Sequence, residues 1–338
     1  MIEDKLKIHW TTYTEPGTHG NLYGYHVLNT KLKECVTGLV DFDSEAKDVL
    51  FIMTPEFFNI EEIKDKRIFL FTMFEGLDIP EIYIKNIQKA HYLLVPSTFV
   101  KELFSKHFDP GRIFVVPLGV EPLYKYKERK LNPKHFRYLW VGAPNPRKGF
   151  AELVVIWQTL ELDKIPSIEL YLKTTKVPNV EIQQVRNVIL DSRNVSKEEL
   201  RNLYHSAHCF VFPTRGEGFS FTLAEAMATG LPCIATNFSG HLDFFDEKVG
   251  YPIKYNFEES EILSPKYGSL GKTRVSFPDV NEFAEQMVYV RLNYKQALLK
   301  GKAASIRIHS KFTWKNTAKA LIGAIKMGRE SNDSLCKS

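Results

Sequence analysis

Short apolar runs alternate with amphipathic stretches along nearly the whole chain. Runs of strand length fall at Lys7–Tyr13, Val49–Thr54, Arg67–Phe74, Tyr92–Pro96 and Ile113–Pro117. Between them, helices are predicted over His26–Glu34, Pro80–Lys89 and Phe99–His107. Phe69-Leu70-Phe71 and Phe114-Val115-Val116 are apolar at successive positions, as strands buried on both faces of a parallel sheet must be. Glu121–His135 breaks the pattern. It is charged, contains a proline and has no apolar period, so it reads as an interdomain linker.

A second series follows. Strands are predicted at Phe136–Val141, Ile168–Leu172, Val188–Leu190, Cys209–Phe212 and Cys233–Ala235. Helices are predicted at Gly149–Leu160, with apolar residues at Leu153, Ile156, Trp157 and Leu160, and at Lys197–Ser206 and Phe221–Thr229. Late helices are expected over Val280–Leu299 and Trp314–Met327. Strands alternating with helices predict βαβ units, so the class is α/β with two Rossmann-like parallel sheets. No repeat of solenoid period occurs.

Length agrees with that division. The chain has 338 residues, and domains run to about 100–200 each. Apolar residues at 44% and charged residues at 25% exclude extended disorder and collagen-like or low-complexity scaffolds. The longest apolar runs are far short of the roughly 20 residues of a membrane-spanning helix. The N-terminus MIEDKLKIHW carries acids where a signal peptide would be basic and then apolar, so a cytoplasmic protein is expected. Cys35, Cys209, Cys233 and Cys336 are widely spaced, which predicts free thiols and no metal site. Residues 1–130 hold 17 basic and 19 acidic side chains, and the remainder 28 and 21, for net charges of −2 and +7. A basic second half suits a phosphate-bearing ligand but falls short of a nucleic-acid-binding stripe.

Open α/β sheets bind ligands at the carboxyl ends of their strands, and four loops after strands carry suggestive residues. The segment from Pro213 to Pro232 places Gly216, Glu217 and Gly218 before a helix starting near Ser220. A helix N-terminus is a ready phosphate site. Glu217 and Glu225 can accept hydrogen bonds from vicinal hydroxyls along one rim of a pocket, or simply complement the helix dipole. The loop from Gly142 to Gly149 carries adjacent Arg147 and Lys148, which can stabilise a departing diphosphate or be surface charges. The loop Glu15–Gly24 contains His19 and Gly20, and Phe71–Pro80 offers Glu75 and Asp78.

The segment EGFSFTLAEAMATGLP, from Glu217 to Pro232, resembles the Glu-x7-Glu signature of retaining GT-B glycosyltransferases of the glycogen synthase and phosphatidylinositol mannosyltransferase group, roughly EGFG-x-x-x-x-EAMA-x-G-x-P. The resemblance spans about 7–326 and is densest over 136–245. It implies two Rossmann-like domains facing across a cleft: an acceptor-side domain at 1–125, a donor-side domain at 126–311, and a helix plus tail at 312–338 returning to the first. It implies metal-independent transfer of a sugar from a nucleotide-sugar to an acceptor hydroxyl with retention, and no cofactor. By resemblance, Glu217 lies near the donor sugar and Glu225 binds the ribose. Gly218, Phe219, Ser220 and Gly142 line the donor, Lys148 grips the pyrophosphate, and Arg193 lies where the nucleobase is met. Gly20 faces the donor phosphates or acceptor, and Glu75 orients the donor sugar or acceptor hydroxyl.

The family arginine directly after the glycine is Ala143 here, which leaves Arg147 or another cation as the second charge. The acceptor (glycan, lipid or protein) is unread, nucleic acid is not expected, and peripheral membrane contact stays open. A glycoside hydrolase with two flanking carboxylates is the competing enzyme reading. An inactive nucleotide-sugar-binding or scaffold protein is the competing non-enzyme reading, favoured by Ala143 and by the absence of the histidine that many relatives carry after the strand preceding Glu75.

Overall fold

The computed structural model describes residues 5–12, 21–58, 65–177 and 185–335. The segment 13–20, with His19 and Gly20, and Cys336 lie outside the described residues. The chain divides into two compact units. One comprises Met1–Gly119, Ser260–Thr273 and Phe312–Ser338, and the other Val120–Glu259 and Arg274–Lys311.

In the first unit, β1 (Leu6–Thr12), β2 (Val40–Phe42), β3 (Asp48–Ile52), β4 (Arg67–Phe71), β5 (Tyr92–Val95) and β6 (Ile113–Val115) form one parallel sheet in the order β2-β1-β3-β4-β5-β6. Helices α1 (Asn21–Val36), α2 (Glu81–Ile87) and α3 (Thr98–Phe104) connect its strands. Strands β3 and β5 are buried at every position, as their unbroken apolar runs require. Phe51, Leu70, Ile87, Leu93, Val100 and Phe104 build the core on one face. Ser97 ends the entry to α3 by accepting the Val100 N–H.

The second unit carries β7 (Phe136–Val141), α4 (Phe150–Thr159), β8 (Ile168–Lys173), β9 (Val188–Asp191), α5 (Lys197–Ser206), β10 (Cys209–Phe212), α6 (Phe221–Ala228), β11 (Cys233–Thr236) and β12 (Tyr251–Ile253). Its sheet runs β12-β11-β10-β7-β8-β9, parallel throughout. From β7 outward the chain builds one side as β8 and β9, then returns to build the other as β10, β11 and β12. The order therefore reverses between β7 and β10, the switch point at which such sheets bind ligands. Trp140, Trp157, Tyr138, Phe210 and Phe212 fill the core around it, and Cys209 and Cys233 are buried free thiols there.

Beyond these sheets lie β13 (Tyr255–Ser264) and β14 (Gly268–Pro278), paired with each other, and helices α7 (Val280–Leu292), α8 (Tyr294–Lys311) and α9 (Trp314–Leu335). The pair β13–β14 has no counterpart among the predicted strands. β13 is largely exposed and charged, so it carries no apolar signal. Its tip nevertheless belongs to the first unit. The Ser264 hydroxyl donates to buried Glu56 at 3.0 Å, Thr273 Oγ1 accepts the Asp78 N–H at 2.9 Å, and Ile262 and Leu270 pack on the core. The helix expected over Val280–Leu299 is instead two. Asn293 leaves helical geometry (φ −109°, ψ 39°) and its Nδ2 caps the Tyr289 carbonyl, so α8 starts afresh at Tyr294. α9 is pinned in the first unit by Arg329, which pairs with Asp48 and donates to Lys7 O at 3.0 Å. Asp48 is fully buried and also takes Arg67 at 2.9 Å.

The charged segment read as a linker is anchored at two points. Tyr124 is buried edge-on against Tyr204 at 5.7 Å. The Arg129 guanidinium donates to Tyr204 O, Ala207 O and Thr229 O at 2.9–3.1 Å. These carbonyls end α5 and α6, where a cation meets the negative end of each helix dipole.

No helix among the described residues is long and apolar enough to cross a membrane. α8 reaches α6 only because Gly301 has no side chain, since a Cβ there would stand 2.3 Å from Gly230 O. Gly301→Ala is expected to cost about 1–3 kcal/mol, measured as a lower urea midpoint at unchanged slope. An unchanged midpoint would show that the two helices separate without penalty.

Candidate active site

The loops leaving β7 and β10 meet at the switch point. Gly149 lets them touch: it has φ +68°, and a Cβ would lie 1.8 Å from Pro213 O. Asn145 Oδ1 accepts the Arg147 N–H at 2.8 Å, closing a tight turn that sends Lys148 forward. Trp140 Nε1 then donates to Lys148 O at 3.1 Å. From the other loop, Arg215 N–H donates to Arg147 O at 2.7 Å.

This stitching brings Lys148 Nζ to both oxygens of Glu217, at 2.6 and 2.8 Å. Thr214 Oγ1 donates to Glu217 Oε1 at 2.9 Å, and Arg147 stands 3.4 Å from the same oxygen while bonding Gly216 O. The Glu217 N–H donates to Ser239 Oγ at 2.8 Å. Burial pushes the Glu217 carboxyl up, but Lys148 and Arg147, with the bonds from Lys148 and Thr214, hold it below the usual range. Two cations thus face this one carboxylate. Arg215 is paired instead with buried Glu152.

Helix α6 begins beside Glu217. Its first turn has no side-chain cap. Ser220 holds φ +80° there, at the position where the resembling sequences have glycine, and its hydroxyl is buried without a hydrogen-bond partner. Thr236 Oγ1 and His241 Nδ1 are likewise buried and unpartnered. His241 Nε2 lies 2.7 Å from Thr236 O, and burial keeps the ring neutral by pushing its pKa down. Phe219 packs between Phe221 and Phe244, at 5.4 and 5.2 Å between ring centroids. Gly218 lies on the same loop, and Gly142 closes the β7 side by donating its N–H to Lys173 O at 3.0 Å.

Glu225, on α6, is half-buried and held from the other side. Tyr204 donates to Glu225 Oε2 at 3.0 Å, and Tyr124 adds a second hydrogen bond. Burial pushes its carboxyl up to about 7. The two phenols oppose the rise, Glu121 adds to it, and Lys197 opposes it. Lys197 is itself paired with Glu121 at 3.0 Å. Arg129, by tying α5 to α6, fixes the distance between Tyr204 and Glu225.

Arg193 follows β9. Its guanidinium closes on Asp191 at 2.9–3.0 Å, and Tyr171 donates to the same carboxylate at 2.8 Å. Buried Lys173 donates to Asp191 O at 3.2 Å and to Arg193 O, which fixes this loop beside the Gly142 turn. Glu75 belongs to the first unit, on the half-buried loop after β4, near the Tyr25 and Tyr83 phenols, which burial chiefly raises and its charge raises a little further. Among the described residues no three His, Cys, Asp or Glu side chains converge as a metal site.

Residues 135–263 match the family model described as Glycosyl transferases group 1. The MMP alpha-(1->4)-mannosyltransferase of Mycolicibacterium hassiacum is 31% identical over 135 residues, 38% of this chain and 32% of that one. The UDP-Gal:alpha-D-GlcNAc-diphosphoundecaprenol alpha-1,3-galactosyltransferase of Escherichia coli is 32% identical over 164 residues, 42% of this chain and 40% of that one. The match thus spans a third to two fifths of the length of these relatives. Among solved structures, Anabaena Alr3699/HepE in complex with UDP superposes with a TM-score of 0.67 at 11% identity, over 95% of this chain and 100% of that one. Sucrose-phosphate synthase of Thermosynechococcus elongatus gives 0.64 at 16% identity, over 96% and 82%. Residues 135–263 are thus similar to the group 1 glycosyl transferases, and the two Rossmann-like units have the GT-B fold.

Proposed function

We propose that the protein transfers a sugar from a nucleotide-sugar to an acceptor hydroxyl with retention of configuration and without a metal. The observation that carries this reading is the Lys148–Glu217 pair at the switch point, beside an uncapped helix start whose Ser220 hydroxyl has no partner. A diphosphate offers negative charge to Lys148 and Arg147 and acceptor oxygens to the hydroxyl. As the bond from the sugar C1 to oxygen lengthens, charge grows on the departing diphosphate, and Lys148, Arg147 and the α6 dipole stabilise it. In the front-face route, the leaving phosphate oxygen takes the proton of the attacking acceptor hydroxyl. Glu217 holds the donor sugar through its hydroxyls, Glu225 takes the ribose, and Arg193 borders the base. In the first unit Glu75 orients the donor sugar or the acceptor hydroxyl. With Ala143 in place of an arginine, Arg147 is the second cation.

Thermal stabilisation by UDP, GDP and ADP tests the reading. UDP comes first, because it is the nucleotide in the Anabaena structure and the Escherichia coli relative takes UDP-Gal. A ligand at about 100 times its dissociation constant adds about 2.7 kcal/mol. No shift with any of the three, on folded protein, would overturn it and favour the scaffold reading that Ala143 supports.

Glu225 gives the binding a pH signature. The free carboxyl titrates near 7, whereas a ribose donates to the ionised form. Binding therefore releases a proton, and nucleotide affinity rises with pH up to about 7 and then levels. Glu225→Gln should remove that component of the slope. The same slope in both proteins would place the ribose elsewhere.

Lys148→Ala should lower turnover about 10²–10³-fold. Undiminished turnover with the donor that the thermal shift identifies would remove Lys148 from leaving-group stabilisation.

A further inference from the structure

Outside this site, the second unit exposes a stripe that its fold does not use. α8 lies on α6 through a face of small side chains, with Ala297, Gly301, Ala304 and Ser305 buried. Its opposite face carries Lys295, Leu299, Lys302 and Ile306 at the three-and-four spacing of one helix surface, and Leu292 precedes them at the end of α7. Leu292, Leu299 and Ile306 are 73%, 64% and 63% exposed. Leu299 and Ile306 stand two turns apart, about 10 Å. Tyr289 extends the stripe past the break at Asn293, its ring partly exposed and its hydroxyl donated to Gln296 at 2.8 Å.

Charge decides what the stripe suits. α8 contains Lys295, Lys300, Lys302, Arg307 and Lys311 and no acid. Lys300 and Arg307 are turned inward, to Gly250 O and Asp246, while Lys295 and Lys302 alternate with the exposed apolar residues. The nearest acid along the same face is Glu285 on α7, two turns before Leu292. A second copy laid on the stripe would set lysines against lysines. An anionic bilayer accepts both halves of the pattern: leucine and isoleucine enter the headgroup boundary while the lysines meet lipid phosphates.

We infer that the face formed by Leu292, Lys295, Leu299, Lys302 and Ile306 docks the second unit on an anionic membrane surface. Co-sedimentation of the full chain with phosphatidylcholine vesicles, with and without 30% phosphatidylglycerol, tests it. Binding is expected only to the anionic vesicles, weakening as salt rises. Lys295→Glu with Lys302→Glu should lower the partition about 30-fold or more. Leu292→Ser, Leu299→Ser and Ile306→Ser together should lower it about tenfold or more at an unchanged melting temperature. Lys315→Glu with Lys319→Glu, on an exposed face of α9, should leave it close to wild type. Absence of binding, equal binding to both vesicles, or binding indifferent to the stripe variants would overturn the assignment. So would a dimer in light scattering that the serine variant dissociates.

Discussion

A carboxylate buried at the carboxyl end of a parallel sheet is stable only where cations reach it, and Glu217 meets that demand across the switch point. Lys148 comes from the β7 loop and Glu217 from the β10 loop, so the pair ties together the two strands between which the strand order reverses. Much else follows from it. Gly149 must lack a side chain so that the loops can touch, Asn145 must turn the chain, and Ser239 must hold the Glu217 amide. Breaking a buried pair by removing one partner typically costs about 3–5 kcal/mol.

The second carboxylate is treated in the opposite way. Among the described residues, Glu225 has no ion-pair partner within 4.0 Å. It is held by two phenols, and burial raises it to about 7. One fold thus keeps Glu217 ionised and leaves Glu225 near its midpoint, eight residues further along the chain. The difference comes from neighbours remote in sequence, and Arg129, near the start of the second unit, keeps them in place.

The strands and helices of the two sheets were legible because a parallel sheet writes continuous apolar runs, and β10 and α5 fall where the runs predict. The Glu217–Glu225 segment was legible because its residue order is unusual. Other features left no such trace. β2 is three residues at a sheet edge, and β13 is largely solvent-facing, so neither needs apolar periodicity. The break at Asn293 lies inside an otherwise helical pattern, and its cap is an asparagine side chain that composition cannot distinguish from a surface residue. Thr214, Ser239 and His241 are short polar residues whose roles arise only when β10 and β11 lie side by side. Tyr124, Tyr204 and Arg129 looked like ordinary core and linker residues, because their partner is a helix terminus or a carboxylate assembled from distant segments.

The first unit is interrupted twice, and its last segment is α9. Gly328 on that helix lies directly against Phe69 and Tyr92, and Arg329 answers the buried charge of Asp48. On the ribosome, the strands bearing Phe69, Tyr92 and Asp48 emerge more than two hundred residues before the helix that covers them. At about 5–20 residues per second, that apolar face waits at least ten seconds or so for its lid while the whole second unit is being made. The first unit is therefore closed only after the second has been made.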